Sequence, residues 1–95
     1  MGGHVYIMAS GPYGTLYIGV IAKLAERVWQ HREGHGSKFC AKYNVNKLVH
    51  YEQYENILDA IHREKRLKKW PRQWKIELIE KGNPTWSDLY ETFNQ

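Results

Sequence analysis

The sequence predicts an α+β domain: a small, three-stranded, mainly antiparallel sheet flanked by helices, in the order β-β-α-(α)-β-α-α. Three observations predict it. Two β-prone stretches, Val5-Tyr6-Ile7-Met8 and residues 15–20, flank a Gly11-Pro12-Tyr13-Gly14 turn, as a hairpin requires. From Leu24 the apolar period changes from that of a strand to that of a helix. A third alternating stretch, residues 48–54, leads into a long amphipathic segment. Strands with helices inserted and appended, and no repeat or linker, give an α+β class.

The elements follow in order. Leu24, Val28 and His31 form one stripe of a helix over Leu24–Arg32, with Ala25, Trp29 and Arg32 beside it. Gly34 and Gly36 end that helix. Ile21-Ala22-Lys23 offers no Ser, Thr, Asp or Asn, so its entry is poorly capped. Residues 37–43 form a short helix or an ordered loop. Asn56 caps a long helix running to about residue 70, where Pro71 interrupts it. Residues 73–80 form the next helix, with Trp74, Leu78 and Ile79 as core candidates. Gly82-Asn83-Pro84 stops it, and residues 86–90 form a last helical turn with Ser87 near its start.

The 95 residues make one domain, spanning 1–95, and 42% hydrophobic content is enough for a core without covalent staples. The sole cysteine, Cys40, excludes an intramolecular disulfide and fits a reducing, cytoplasmic setting. The apolar runs are too short to span a membrane, and the N-terminus lacks a signal-peptide pattern. The expectation is therefore a soluble chain with no membrane partner. Fourteen Lys and Arg against ten Asp and Glu give +4, with a pI near 9.2. That excess favours a polyanionic partner.

The cations concentrate at Arg63, Lys65, Arg66, Lys68, Lys69, Arg72 and Lys75, interleaved with Trp70 and Trp74. Such a stretch reads as a phosphate-tracking surface with stacking platforms, or equally as a solvated helix face. Its one acid, Glu64, offsets the surrounding charge through a salt bridge or holds a hard metal ion. Tyr6 and Tyr17 lie on facing strands. They are a stabilising cross-strand pair, or phenols whose ionised form is made more accessible by nearby Lys, Arg or metal-bound water. Lys23, Arg27 and His31 form one row along a helix, which is a polar face or a phosphate grip. His31, His35 and Cys40 are spaced for a zinc site, but the Glu of a His-Glu-x-x-His motif is missing. Cys40 itself reads as a small buried apolar side chain.

Val5-Tyr6-Ile7 followed by Tyr17-Ile18-Gly19 resembles the paired segments of the GIY-YIG nucleases. In this chain the first segment reads VYI, with only the Tyr of the signature in its usual place. The next helix carries Arg27 and, four residues later, His31, and Glu64 matches the family's metal-binding Glu. Asn83 matches a polar residue late in the domain. The stretch from Gly36 to Phe39, the segment 70–79 and the Asn83-Pro84-x-Trp86-x-Asp88-Leu89 ending are similar to small stand-alone bacterial members, so the resemblance spans residues 4–91.

The resemblance implies a metal-dependent endonuclease acting on DNA in preference to RNA, with low sequence specificity unless a partner protein supplies it. It implies a role in repair or recombination. It implies that Tyr6 is the general base or positions the attacking water, and that Tyr17 supports the same proton network. Arg27 neutralises the phosphate, and His31 contacts it or assists proton transfer. Glu64 holds one Mg²⁺ or Mn²⁺ ion. Lys23, Lys38, Arg63, Lys65, Arg66, Lys68, Lys69 and Arg72 are the candidate nucleic-acid contacts. Two alternatives stand beside it: a nucleic-acid-binding module with the same fold and little turnover, and a protein-interaction domain using exposed Trp residues.

Overall fold

The computed structural model describes residues 2–34 and 37–93. The elements are β1 (Gly3–Ala9), β2 (Leu16–Ile21), α1 (Leu24–Arg32), α2 (Lys38–Tyr43), β3 (Lys47–Tyr54), α3 (Ile57–Lys69), α4 (Arg72–Gly82) and α5 (Tyr90–Phe93). The sheet order is β2-β1-β3, and both pairings are antiparallel. β1 is thus the central strand, and its alternate side chains feed two cores. Val5, Ile7 and Ala9 pack with Ile18, Val49, Ala60, Leu67, Ile76 and Ile79 on the face covered by α3 and α4. Tyr6 and Met8 pack with Leu24, Val28, Cys40 and Val45 on the face covered by α1 and α2.

Local chemistry explains the element ends. α1 starts at Lys23 without a side-chain cap, as its sequence leads one to expect. The alternative left open at residues 37–43 resolves as a helix, because Ser37 caps α2 by accepting from the backbone of Cys40. Asn56 caps α3 through Leu58 N at 2.9 Å. The hairpin turn is held from outside: Arg72 of α4 donates to the carbonyls of Tyr13 at 2.7 Å and Gly14 at 2.6 Å. Gly34 follows α1 with φ +82°. Gly36, expected to end α1, and His35, expected as a possible zinc ligand, lie outside the described residues.

Two expectations are corrected. Trp74 is not core: it is 53% exposed, and α4 buries Ile76 and Ile79 instead. Two residues before Ile76, it points away from the buried stripe. Residues 86–90 do not form the last helical turn. Asn83, 6% exposed, donates to the carbonyls of Val49 and Ser87 and accepts from Ser87 N, which holds this segment irregular against β3. Asp88 accepts from Leu48 N, and Leu89 N donates to Leu48 O at 2.7 Å, so the helix begins only at Tyr90. Trp86, 4% exposed, fills the core position, with its indole N–H on Glu80.

A polar clamp sets α3 against β3. Arg63 donates to both oxygens of Glu52, at 2.9 and 3.1 Å, while Tyr54 and His50 bond the same carboxylate. The Arg63 guanidinium also lies over the Trp70 ring, 4.9 Å from its centroid. Burial pushes the Glu52 carboxyl up, but the bonds from His50, Arg63 and Tyr54 outweigh it and hold the pKa at about 2. No helix among the described residues is long and apolar enough to cross a membrane.

The Glu52 pKa makes a signed prediction. The carboxyl titrates lower when folded than when unfolded, so its stabilisation is present above the ordinary value of 4.5 and is lost as pH falls toward about 2. Glu52→Gln should lower the urea midpoint at pH 7, and its gap from wild type should close across that acid window. A gap independent of pH would show that the clamp does not depend on the ionised carboxylate.

Candidate active site

Register brings the first two residues of the site together. Tyr6 on β1 pairs with Gly19 on β2, and Met8 pairs with Tyr17, so both phenols project from the same face. The Tyr6 ring lies directly on the Gly19 backbone. A Cβ built at residue 19 would stand 2.5 Å from both Cζ and the hydroxyl oxygen of Tyr6. No side chain larger than hydrogen fits beneath the ring, which gives the Gly of Tyr17-Ile18-Gly19 a steric reason. Sequence reasoning missed this role, although the signal was present in the motif itself.

α1 supplies the third ring. His31 is 3% exposed, and its Nε2 shares a hydrogen bond of 3.2 Å with the Tyr6 hydroxyl. Its ring centroid lies 5.8 Å from Tyr6 and 5.3 Å from Tyr17, whose rings are 6.3 Å apart. The three rings close a triangle against the first turns of the sheet. The other imidazole nitrogen, Nδ1, is buried without a hydrogen-bond partner. Burial, then the charge of Arg27, lowers the His31 pKa, so the imidazole is neutral at pH 7.

The same environment corrects one expectation about Tyr6. A nearby cation was expected to make its phenolate more accessible. Instead burial raises the phenol pKa well above its ordinary value, Tyr17 adds to the rise, and the Arg27 charge only partly opposes it. Tyr6 therefore rests as a neutral phenol. The adjoining His31 nitrogen stands within hydrogen-bond distance of its hydroxyl.

Arg27 is half-buried one turn before His31 on α1. It lines a cleft of about 320 Å³ with Lys23, Glu26 and Ile21. The row Lys23-Arg27-His31 thus runs from solvent into the core rather than along a uniformly wet face. Glu64 arrives from α3, which covers the other face of the sheet and underlies β2 as well as β1. It nevertheless lies within electrostatic reach of the Tyr6 hydroxyl, as Arg27 does. Its side chain is 14% exposed, and one oxygen pairs with Lys68 Nζ at 3.2 Å, one turn on along the helix. Both readings of Glu64 therefore share one geometry, a mostly covered carboxylate with a single cationic partner. Among the described residues no group of three or more His, Cys, Asp and Glu gathers to hold a metal. Cys40 is buried at 2% and its thiol is pushed up by burial, as expected of an inert apolar position.

The candidate nucleic-acid contacts separate. Lys68 lines a groove of about 270 Å³ together with Tyr17, Ile18, Phe39 and Lys75, at the outer side of β2. Lys23 stands in the Arg27 cleft. Lys38, Lys65, Arg66 and Lys69 are exposed. Arg63 is committed to Glu52 and Trp70, and Arg72 to the hairpin turn. Asn83 is a structural hub bonded to β3 and not part of this cluster. Phe39, 43% exposed and 6.3 Å from the Tyr17 ring, joins the groove without having been singled out for it.

The Tyr6–Gly19 contact generates a test. Gly19→Ala forces the phenol off its seat or spreads the strands, and overpacking of this kind costs roughly 1–3 kcal/mol. Urea unfolding should register that loss, and the histidine NMR signal of His31 should shift as its phenol partner moves. Unchanged stability together with an unchanged His31 signal would mean that the ring does not rest on residue 19.

Comparisons with known proteins give the chain its relatives and its family. A UPF0213 protein of Staphylococcus aureus (strain N315) is 36% identical over 76 residues, covering 80% of this chain and 92% of that one. A UPF0213 protein of Staphylococcus epidermidis (strain ATCC 12228) is 33% identical over 78 residues, covering 82% and 94%. The solution NMR structure of a UPF0213 protein from Bacillus halodurans shares the fold, with a TM-score of 0.58 at 23% identity over 93% of both chains. The family model described as the GIY-YIG catalytic domain matches residues 2–77. With that match over most of its length, this chain belongs to the GIY-YIG catalytic-domain family, a family of nucleases that act on nucleic acid.

Proposed function

We propose that this protein is a metal-dependent endonuclease that hydrolyses phosphodiester bonds in DNA with low sequence specificity, directed by substrate structure in repair or recombination. One observation carries the reading: the Tyr6 hydroxyl bonds His31, abuts Tyr17, and lies within electrostatic reach of both Arg27 and Glu64. A nucleophile activator, an imidazole acceptor, a guanidinium and a carboxylate are the groups that an in-line displacement at phosphorus requires.

The chain's own residues divide the work. Tyr6 orients the attacking water through its hydroxyl, takes the water's proton and passes its own to the neutral His31 nitrogen beside it. His31 Nε2 is engaged with the Tyr6 hydroxyl, so of its two implied roles its position supports proton transfer. Tyr17 walls the pocket and keeps both rings in place. Arg27 lies at the cleft surface, where its fork can meet the equatorial phosphate oxygens. Glu64 would hold a single Mg²⁺ or Mn²⁺, displacing the Lys68 ammonium from its carboxylate. The residues fit such an ion in its usual manner, with one protein carboxylate and the remaining positions left to substrate oxygens and water. When bound, the ion supplies Lewis-acid stabilisation of the leaving oxygen.

A second reading, a nucleic-acid-binding module with little turnover, draws support from the same burial that keeps Tyr6 protonated. Two variants separate the readings. Glu64→Ala should abolish Mn²⁺-dependent cleavage of branched and linear DNA while leaving the circular dichroism spectrum and most DNA affinity intact. Equal cleavage by wild type and variant would refute the role of Glu64 and trace the activity to a contaminant. Arg27→Ala should slow single-turnover cleavage by about 10²–10³, by analogy with removing one oxyanion donor. A loss confined to thermal stability, with the rate preserved, would make Arg27 structural.

A further inference from the structure

A track continues from the catalytic cluster along the outer side of β2. Its inner part, about 270 Å³, includes Tyr17, Phe39 and Lys68. Its outer part, about 590 Å³, includes Tyr13, Thr15 and Arg72 at the hairpin turn. Both parts share Leu16 and Lys75, so Lys75 stands at their junction.

Lys75 differs from the cations around it. Lys68 is paired with Glu64, and Arg72 donates to two hairpin carbonyls. Lys75 is half-buried, and among the described residues it makes no hydrogen bond or ion pair. Partial cover of so long a side chain lies along its aliphatic stem and holds the ammonium at the groove. With no acid of the described chain engaging it, that ammonium is open to an anion lying there. The same groove exposes aromatic faces: Phe39 is 43% exposed, and Tyr13 at the far end is 60% exposed. An unpaired cation among open rings, continuous with a phosphodiester-cutting site, suits a polymer with regularly spaced phosphates and flat bases better than a small anion.

We propose that Lys75 binds a backbone phosphate other than the one cut, on a track that leads the nucleic-acid strand from Tyr17 past Leu16 to the hairpin turn. This inference rests on the nuclease reading above and adds the direction in which the strand leaves the site. It assigns the guiding contact to a residue of α4 rather than to the denser row of cations on α3.

The test is binding without cleavage. A fluorescent DNA oligonucleotide is titrated with the full chain in EDTA at several salt concentrations, and log Kd is followed against log salt. Lys75→Ala should lower the slope by about one, the signature of one lost phosphate contact, and weaken binding alike for unrelated sequences. Lys75→Gln, which keeps the inner half of the aliphatic stem and a polar end, should do the same and guards against misfolding. Lys81→Ala, on the same helix but outside the groove, should leave the slope at its wild-type value. A wild-type slope in folded Lys75 variants overturns the proposal, and so does an equal drop in Lys81→Ala, which would indicate only a net-charge effect. Cleavage by Glu64→Ala at the wild-type rate, with the Lys75 effect intact, would sink the nuclease reading and leave the track standing. A wild-type chain that fails to bind DNA would sink both.

Discussion

One missing side chain organises the site. Because residue 19 is glycine, the aromatic ring of residue 6 can lie flat across the neighbouring strand, and its hydroxyl reaches His31. The ring is then supported from below by backbone, which does not change rotamer. From above it is confined by α1, whose Leu24 and Val28 pack in the same core. The position of the phenol is therefore set by strand pairing and one helix contact, with little freedom left to the side chain itself. Everything else in the cluster is arranged around that fixed oxygen.

The remaining groups come from both sides of the sheet. α1 brings Arg27 and His31 over one face, while α3 brings Glu64 from the other. Tyr17 and Ile18 of β2, an outer strand, pack on opposite faces of the sheet, whereas β1 is enclosed on both sides. The opposite outer strand, β3, is treated differently. Asn83, Asp88 and Leu89 bond its backbone at Val49 and Leu48, so the C-terminal segment occupies that edge. The two edges of one small sheet thus carry different duties: one is tied down by the chain's own tail and the other faces the clefts. The Glu52–Arg63 clamp adds a constraint on Glu64, since the residue before it is bonded into β3 from the same helix.

Much of this was legible in the sequence, for physical reasons. α1 shows its bounds at Leu24 and Arg32 because its apolar stripe is regular and Gly34 follows its last turn, even though no capping side chain marks its start. Tyr6, Tyr17, Arg27, His31 and Glu64 stand out as a set only through the resemblance to the family's ordered motifs; taken singly, each also reads as a structural position. What stayed hidden depends on partners distant in the chain. Nothing local shows that Arg63 is consumed by Glu52, or that Arg72 is consumed by hairpin carbonyls 58 and 59 residues earlier. Trp74 and Trp86 look alike as large apolar residues. Only the phase of α4 and the Asn83 hydrogen bonds decide that the first faces water and the second fills the core. The elevated phenol pKa was likewise invisible, because burial is a property of the packed cluster and not of the tyrosine.

The grip of Arg72 on the hairpin turn has a consequence for accuracy. Side chains along a strand alternate faces, so a slip of one residue between β1 and β2 would carry Tyr6 to the wrong side and set a bulky neighbour where Gly19 belongs. A single guanidinium nitrogen donating to successive carbonyls at the bend makes such misalignment costly before it can spread down the ribbon. Folding fidelity and assembly of the cluster are here a single variable: a ribbon that zips out of phase would not loosen the contact of Tyr6 with His31 but would never form it.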